Sequence, residues 1–107
     1  MTGLVIRARV EPHQRHELMQ MFQEISRPDQ LPAACLERRI YAESHLPTNL
    51  LLVEQWSDKA ALNCHLSSDQ FRALIGAVKV LGKLVDVCIF EATSIQNLLI
   101  KLKANAC

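Results

Sequence analysis

Three side chains in the middle of this chain have types and spacing that suit chemistry on a flat organic molecule. Trp56 stands at the end of an apolar run, His65 lies about two helical turns further on, and Phe71 follows in the next helical segment. Together they offer two aromatic surfaces and one imidazole that titrates near neutral pH. Such a set fits an apolar pocket with one placed polar group, able to hold a small aromatic or hydrophobic molecule and move a proton. The same residues also read as structure: a Trp at a strand end is often core, and a His between Leu62 and Leu66 is often tied to backbone. Arg39 and Tyr41 share one face of another strand. They are further candidates for binding substrate if that face meets the site. Arg7 and Arg9 project from the first strand, either as solvated or interface groups or toward an anionic ligand.

The elements that must position these residues follow from pattern. Leu50 to Trp56 is an apolar run of strand length, suited to a strand covered on both faces. Ser57-Asp58 supplies helix N-cap types before Lys59, and Ser67-Ser68-Asp69 interrupts that helix and starts another. In the second helix Phe71, Leu74, Ile75, Val78 and Leu81 make one apolar stripe, and Gly82 sits where a C′ glycine is expected. Upstream, Gly3 to Val10 alternates as a first strand. Glu11-Pro12 is expected to open a first helix with Pro near N1, and Leu18, Met21, Phe22 and Ile25 form its buried stripe. Residues 27–32 hold two prolines and read as a loop. Cys35 to Glu43 is a second strand, with Leu36, Arg38, Ile40 and Ala42 on one face and Cys35, Glu37, Arg39, Tyr41 and Glu43 on the other. Leu84 to Thr93 is a fourth strand.

The resulting order, β-α-β-β-α-α-β, is a split βαβ arrangement. Right-handed crossovers place strands one and four together, with strand three between one and two, and put all helices on one face. The other face is too apolar to leave wet, so a homodimer across it is expected. One domain spanning residues 1–107 is expected, with 97–107 as a C-terminal extension beyond the fold's needs.

Glu54-Gln55-Trp56-Ser57, with Leu62, His65-Leu66-Ser67 and Phe71, resembles the E-x-W … L-x-x-H-L-x-S-x-x-F signature of the antibiotic biosynthesis monooxygenase family. The resemblance implies an α+β fold with a ferredoxin-like protomer, an antiparallel four-stranded sheet with helices on one face, and a dimeric α+β barrel. It also implies a cofactor-independent monooxygenase acting with O2 on a quinol- or anthrone-like aromatic. His65 and Trp56 would then be the catalytic residues, and Trp56, Phe71, Tyr41 and Arg39 the substrate-binding ones. Haem-degrading relatives carry an iron-binding histidine one helical turn after the position of Phe71, where this chain has Ile75, and an asparagine on the first strand, which is lacking here. Many members also have a histidine where this chain has Gln70. No cofactor and no metal are therefore expected. Because one fold hosts several reactions, two other readings stand beside the oxygenase: a non-catalytic dimeric ligand-binding or stress-associated protein, and an isomerase of a small carbonyl compound.

Composition restricts the remaining classes. Half the residues are hydrophobic and the formal net charge is +1, with no basic cluster large enough for a nucleic-acid groove. No apolar run reaches the ~18–20 residues of a membrane span, and no signal-peptide pattern opens the chain. A soluble, cytoplasmic protein is expected. The four cysteines, Cys35, Cys64, Cys88 and Cys107, are too widely spaced for a zinc or thioredoxin motif. They read as buried free thiols, with Cys107 exposed.

Overall fold

The computed structural model describes residues 2–91. The described elements are β1 (Thr2–Arg9), α1 (Arg15–Ile25), a 3₁₀ turn (Pro28–Gln30), β2 (Cys35–Ala42), β3 (Asn49–Trp56), α2 (Lys59–Leu66), α3 (Asp69–Leu81) and β4 (Lys83–Glu91). The strands form one antiparallel sheet in the order β2-β3-β1-β4. This is the expected ferredoxin-like order, and the expected C-terminal extension lies outside the described residues. None of the described helices is long and apolar enough to cross a membrane.

Alternation divides the two sheet faces. Leu4, Ile6 and Ala8 of β1 and Leu50, Leu52 and Trp56 of β3 turn toward the helices. There they join Leu18 and Phe22 of α1, Leu62 of α2, and Leu74 and Val78 of α3 in one core. Val5 and Val53 point the other way and are also fully buried, with Tyr41, Leu51 and Phe90 packed around them. Also on that second face, Arg7 Nε lies 3.6 Å from Asp86 Oδ1. Arg9 donates from Nε to Asn49 Oδ1 at 3.2 Å on the exposed surface.

Capping fixes the two helices that follow β3. Asp58 Oδ1 accepts from the Ala61 N–H at 2.7 Å, and Ser68 Oγ accepts from the Phe71 N–H at 3.1 Å. The Ser68 hydroxyl also donates to the His65 carbonyl at 2.6 Å. One side chain thus ends α2 and starts α3, which keeps His65 and Phe71 on adjoining turns.

Three local expectations are corrected. First, α1 begins at Arg15 rather than at Glu11-Pro12. The intervening residues close four-residue turns, Gln14 N–H to Glu11 O at 2.9 Å and Arg15 N–H to Pro12 O at 3.4 Å; the Leu18 N–H then bonds Gln14 O at 3.1 Å in the α pattern. Second, Gly82 does not end α3 in a left-handed conformation, because its φ is −166°, ordinary extended backbone. Glycine is needed there for space: a Cβ would lie 2.5 Å from the Arg9 carbonyl oxygen. Third, the pairing shifts between Cys35 and Glu37, so Leu36 is an extra residue in β2. Cys35 therefore joins the helix-side core instead of the face of Glu37, Arg39 and Tyr41, while Leu36 is 55 % exposed.

The cysteines also depart from the expected buried free thiols. Cys35 and Cys64 are free, but Cys64 is exposed. Cys88 is disulfide-bonded, and Cys107 lies outside the described residues.

Candidate active site

β3 ends on Trp56, whose side chain turns to the helix side and is almost fully buried. Two residues earlier on the same face stands Glu54, a carboxylate with no exposed surface. A charge buried at this depth needs a partner and hydrogen bonds to offset its lost hydration. The partner comes from the neighbouring strand, where Arg38 sits directly opposite Glu54. Arg38 donates from Nε to Glu54 Oε2 at 2.6 Å, and its Nη2 lies 2.5 Å from the same oxygen. Its third nitrogen, Nη1, donates to the Ile25 carbonyl in the last turn of α1 at 2.7 Å. That carbonyl lies where a helix leaves acceptors unpaired, so Arg38 also ties α1 to the sheet.

The other carboxylate oxygen serves the aromatic side of the site. Glu54 Oε1 accepts from Trp56 Nε1 at 3.0 Å, and His65 Nε2 lies 4.0 Å from it. The imidazole is stacked obliquely on the indole, ring centroids 4.7 Å apart at 34°. Phe71 closes the other side with a T-shaped contact at 5.5 Å and 71°. His65 shares the buried side of α2 with Leu62, and its Nε2 is buried without a hydrogen-bond partner.

Burial pushes the His65 proton affinity below its ordinary value, the nearby Glu54 carboxylate opposes this, and Arg38 adds to the lowering. The ring is therefore neutral at pH 7, with a lone pair to accept a proton. Cys35, opposite Trp56 in the β2–β3 pairing, has its thiol pushed up to about 11, chiefly by burial and then by Glu54. It stays protonated and uncharged beside the site.

The structure thus brings Trp56, His65 and Phe71 together and leaves Arg39 and Tyr41 apart from them. Arg39 pairs opposite Val53 and Tyr41 opposite Leu51, on the face turned away from the helices. The Arg39 guanidinium reaches Glu37 in an ion pair and is 61 % exposed. Sequence reasoning passed over Arg38 and Glu54. A signal was present: each is a charged residue within an otherwise apolar strand face.

Fold and site together define a ferredoxin-like α+β protein with an imidazole enclosed by aromatic rings between sheet and helices. The family model for antibiotic biosynthesis monooxygenase matches residues 1–77, and the chain belongs to that family. Among solved structures, a Deinococcus radiodurans protein carrying the family's name superposes with a TM-score of 0.76 at 21 % identity, covering 88 % of this chain and 94 % of that one. Another antibiotic biosynthesis monooxygenase gives 0.72 at 18 % identity, covering 88 % and 100 %. A conserved protein of Methanosarcina mazei gives 0.74 at 22 % identity, covering 86 % and 92 %. At such identities the likeness establishes the fold. No curated protein matches the chain.

Proposed function

We propose that the protein is a monooxygenase that uses O2 without a cofactor to oxidise a small, flat, quinol- or anthrone-like aromatic. The observation that carries this reading is the neutral imidazole of His65, buried between Trp56 and Phe71. A base in a dry aromatic setting suits a substrate with an acidic C–H or O–H and an extended π-system. Trp56 and Phe71 provide the walls, and His65 takes the proton while the electron pair stays on the substrate. The anion then passes one electron to O2, and the two radicals join in a carbon–oxygen bond. His65 returns its proton to the resulting peroxide anion, and the hydroperoxide so formed loses water. For an anthrone the sum is CH2 plus O2 giving C=O plus H2O, so atoms and electrons balance.

Oxygen uptake on a panel of quinols and anthrones tests this proposal. His65→Gln should lower kcat by about 10²–10⁴, the usual contribution of a general base. Because burial lowers its proton affinity, the base stays unprotonated to a lower pH than an ordinary imidazole, whose pKa is about 6.5. The acid limb of the rate profile should therefore fall beneath that value. Full turnover by His65→Gln with an unchanged profile would remove His65 from the mechanism. The same base could enolise a small carbonyl compound, but that isomerisation would consume no oxygen. Binding without turnover would favour a ligand-binding protein.

The proposal includes a homodimer formed across the sheet face away from the helices. Support comes from Tyr41, Leu51 and Phe90, which pack over the buried Val5 and Val53 on that face and stay partly exposed. An obligate interface of this kind buries on the order of 2,000 Å² or more. Sedimentation at micromolar concentration should show a dimer; a 12.1 kDa species alone would overturn it.

A further inference from the structure

Glu54 and Arg38 are buried charges that the proton transfer described above leaves without a part. A carboxylate and guanidinium joined only to hold a fold can share two parallel hydrogen bonds, one on each carboxylate oxygen. Here Arg38 Nε and Nη2 both converge on Oε2, and Nη1 turns away to the Ile25 carbonyl. Oε1 receives no hydrogen bond from the guanidinium. It accepts one bond, from Trp56 Nε1, and has capacity for a second. The atom facing it is His65 Nε2, 4.0 Å away, buried and without a partner.

A neutral imidazole carries hydrogen on one nitrogen and a lone pair on the other. A lone pair on Nε2 would face a carboxylate oxygen and be repelled by it, whereas an N–H there is attracted. Closing the 4.0 Å gap by roughly 1 Å would give a charge-assisted hydrogen bond. We propose that Glu54, clamped by Arg38, is the positioning residue of this site. Its Oε1 holds neutral His65 with the hydrogen on Nε2, leaves Nδ1 as the atom that accepts the substrate's proton, and takes a full hydrogen bond from Nε2 once the ring is charged. This inference rests on His65 being the base of the proposed reaction.

Arg38 keeps the arrangement poised. A lone carboxylate would favour a permanently protonated ring, which could accept nothing. With the guanidinium on Oε2, the pair is close to neutral overall. Phe71 presents no charge from α3, Trp56 presents none from β3, and the Cys35 thiol on β2 is protonated. Glu54 and Arg38 are thus the charges that bear on the ring from the sheet.

The test reads the imidazole nitrogens directly, by ¹⁵N–¹H correlation spectroscopy of the full chain above the His65 titration. The wild type should show hydrogen on Nε2, and Glu54→Gln should lose that preference. Because Glu54→Gln leaves Arg38 unpaired, Arg38→Gln/Glu54→Gln, which keeps uncharged hydrogen-bonding groups at both positions, is measured alongside it. In the double variant kcat for oxygen uptake should fall at least tenfold with KM within twofold. Its acid limb should move to lower pH, since the influence of Glu54 on His65 exceeds that of Arg38. Glu54→Asp, which keeps the charge, should recover part of the rate. A structural role alone would lower stability and leave tautomer and pH limb unchanged. Hydrogen on Nδ1 in the wild type, or an unaltered tautomer in the double variant, would overturn the assignment. Absence of oxygen uptake by the wild type would instead sink the oxygenase reading, and the tautomer result is independent of it.

Discussion

Substituting Arg38 with Met should destabilise the protein by about 3–5 kcal/mol, the usual cost of removing one partner from a buried ion pair. Met preserves much of the side-chain length and apolar stem, so packing is disturbed little. The loss arises instead from the Glu54 carboxylate, which has no exposed surface and would lose its counter-charge. The Ile25 carbonyl would lose its donor at the same time. In a domain whose whole stability is roughly 5–15 kcal/mol, that is a large share. At about 4–8 °C per kcal/mol, the melting temperature should drop by more than ~10 °C. Arg38→Met/Glu54→Leu should recover most of the loss, because two apolar groups remove the buried charge altogether. Its residual deficit should come from the Trp56 N–H and the Ile25 carbonyl, both left without their partner. Thermal and urea unfolding of both variants decide the matter. Equal losses in the single and double variants would show that the charge pair is not what the substitution breaks.

Trp56→Ala should cost about 3–5 kcal/mol, in the range for aromatic-to-alanine changes in a core. The indole is 1 % exposed, it lies against the His65 ring, and its Nε1 hydrogen bond goes to a charged acceptor. Trp56→Phe separates these contributions. It retains an aromatic surface and loses the N–H, so it should cost about 1–3 kcal/mol. Trp56 is the sole tryptophan of the chain, so its own emission follows unfolding in the wild type, and far-ultraviolet circular dichroism follows the variants. A loss below ~1 kcal/mol for Trp56→Ala would contradict its place in the core. Activity should fall in both variants, more in Trp56→Ala, where the proposed substrate wall is gone.

Sequence alone was sufficient for the aromatic–imidazole set, whose determining interactions are close along the chain. Trp56, His65 and Phe71 come together because a strand, a corner and two capped helices follow one another directly. Asp58 and Ser68 make the caps their types predict. The strand order follows from the element order and the handedness of crossovers. In contrast, the charged centre of the site is made across strands. Arg38 meets Glu54 only through the β2–β3 register, and Arg38 reaches Ile25 only after α1 has docked. Register also decided faces. The extra residue at Leu36 reverses the parity of Cys35 relative to Arg39 and Tyr41, which a count along the strand does not reveal. Gly82 shows the same division: its position at the helix end is local, but the reason for glycine is the Arg9 carbonyl brought against it by the fold. The chain's periodicity thus determined its elements and its aromatic–imidazole set, while burial of a charge, which requires a partner distant in sequence, was decided by tertiary structure.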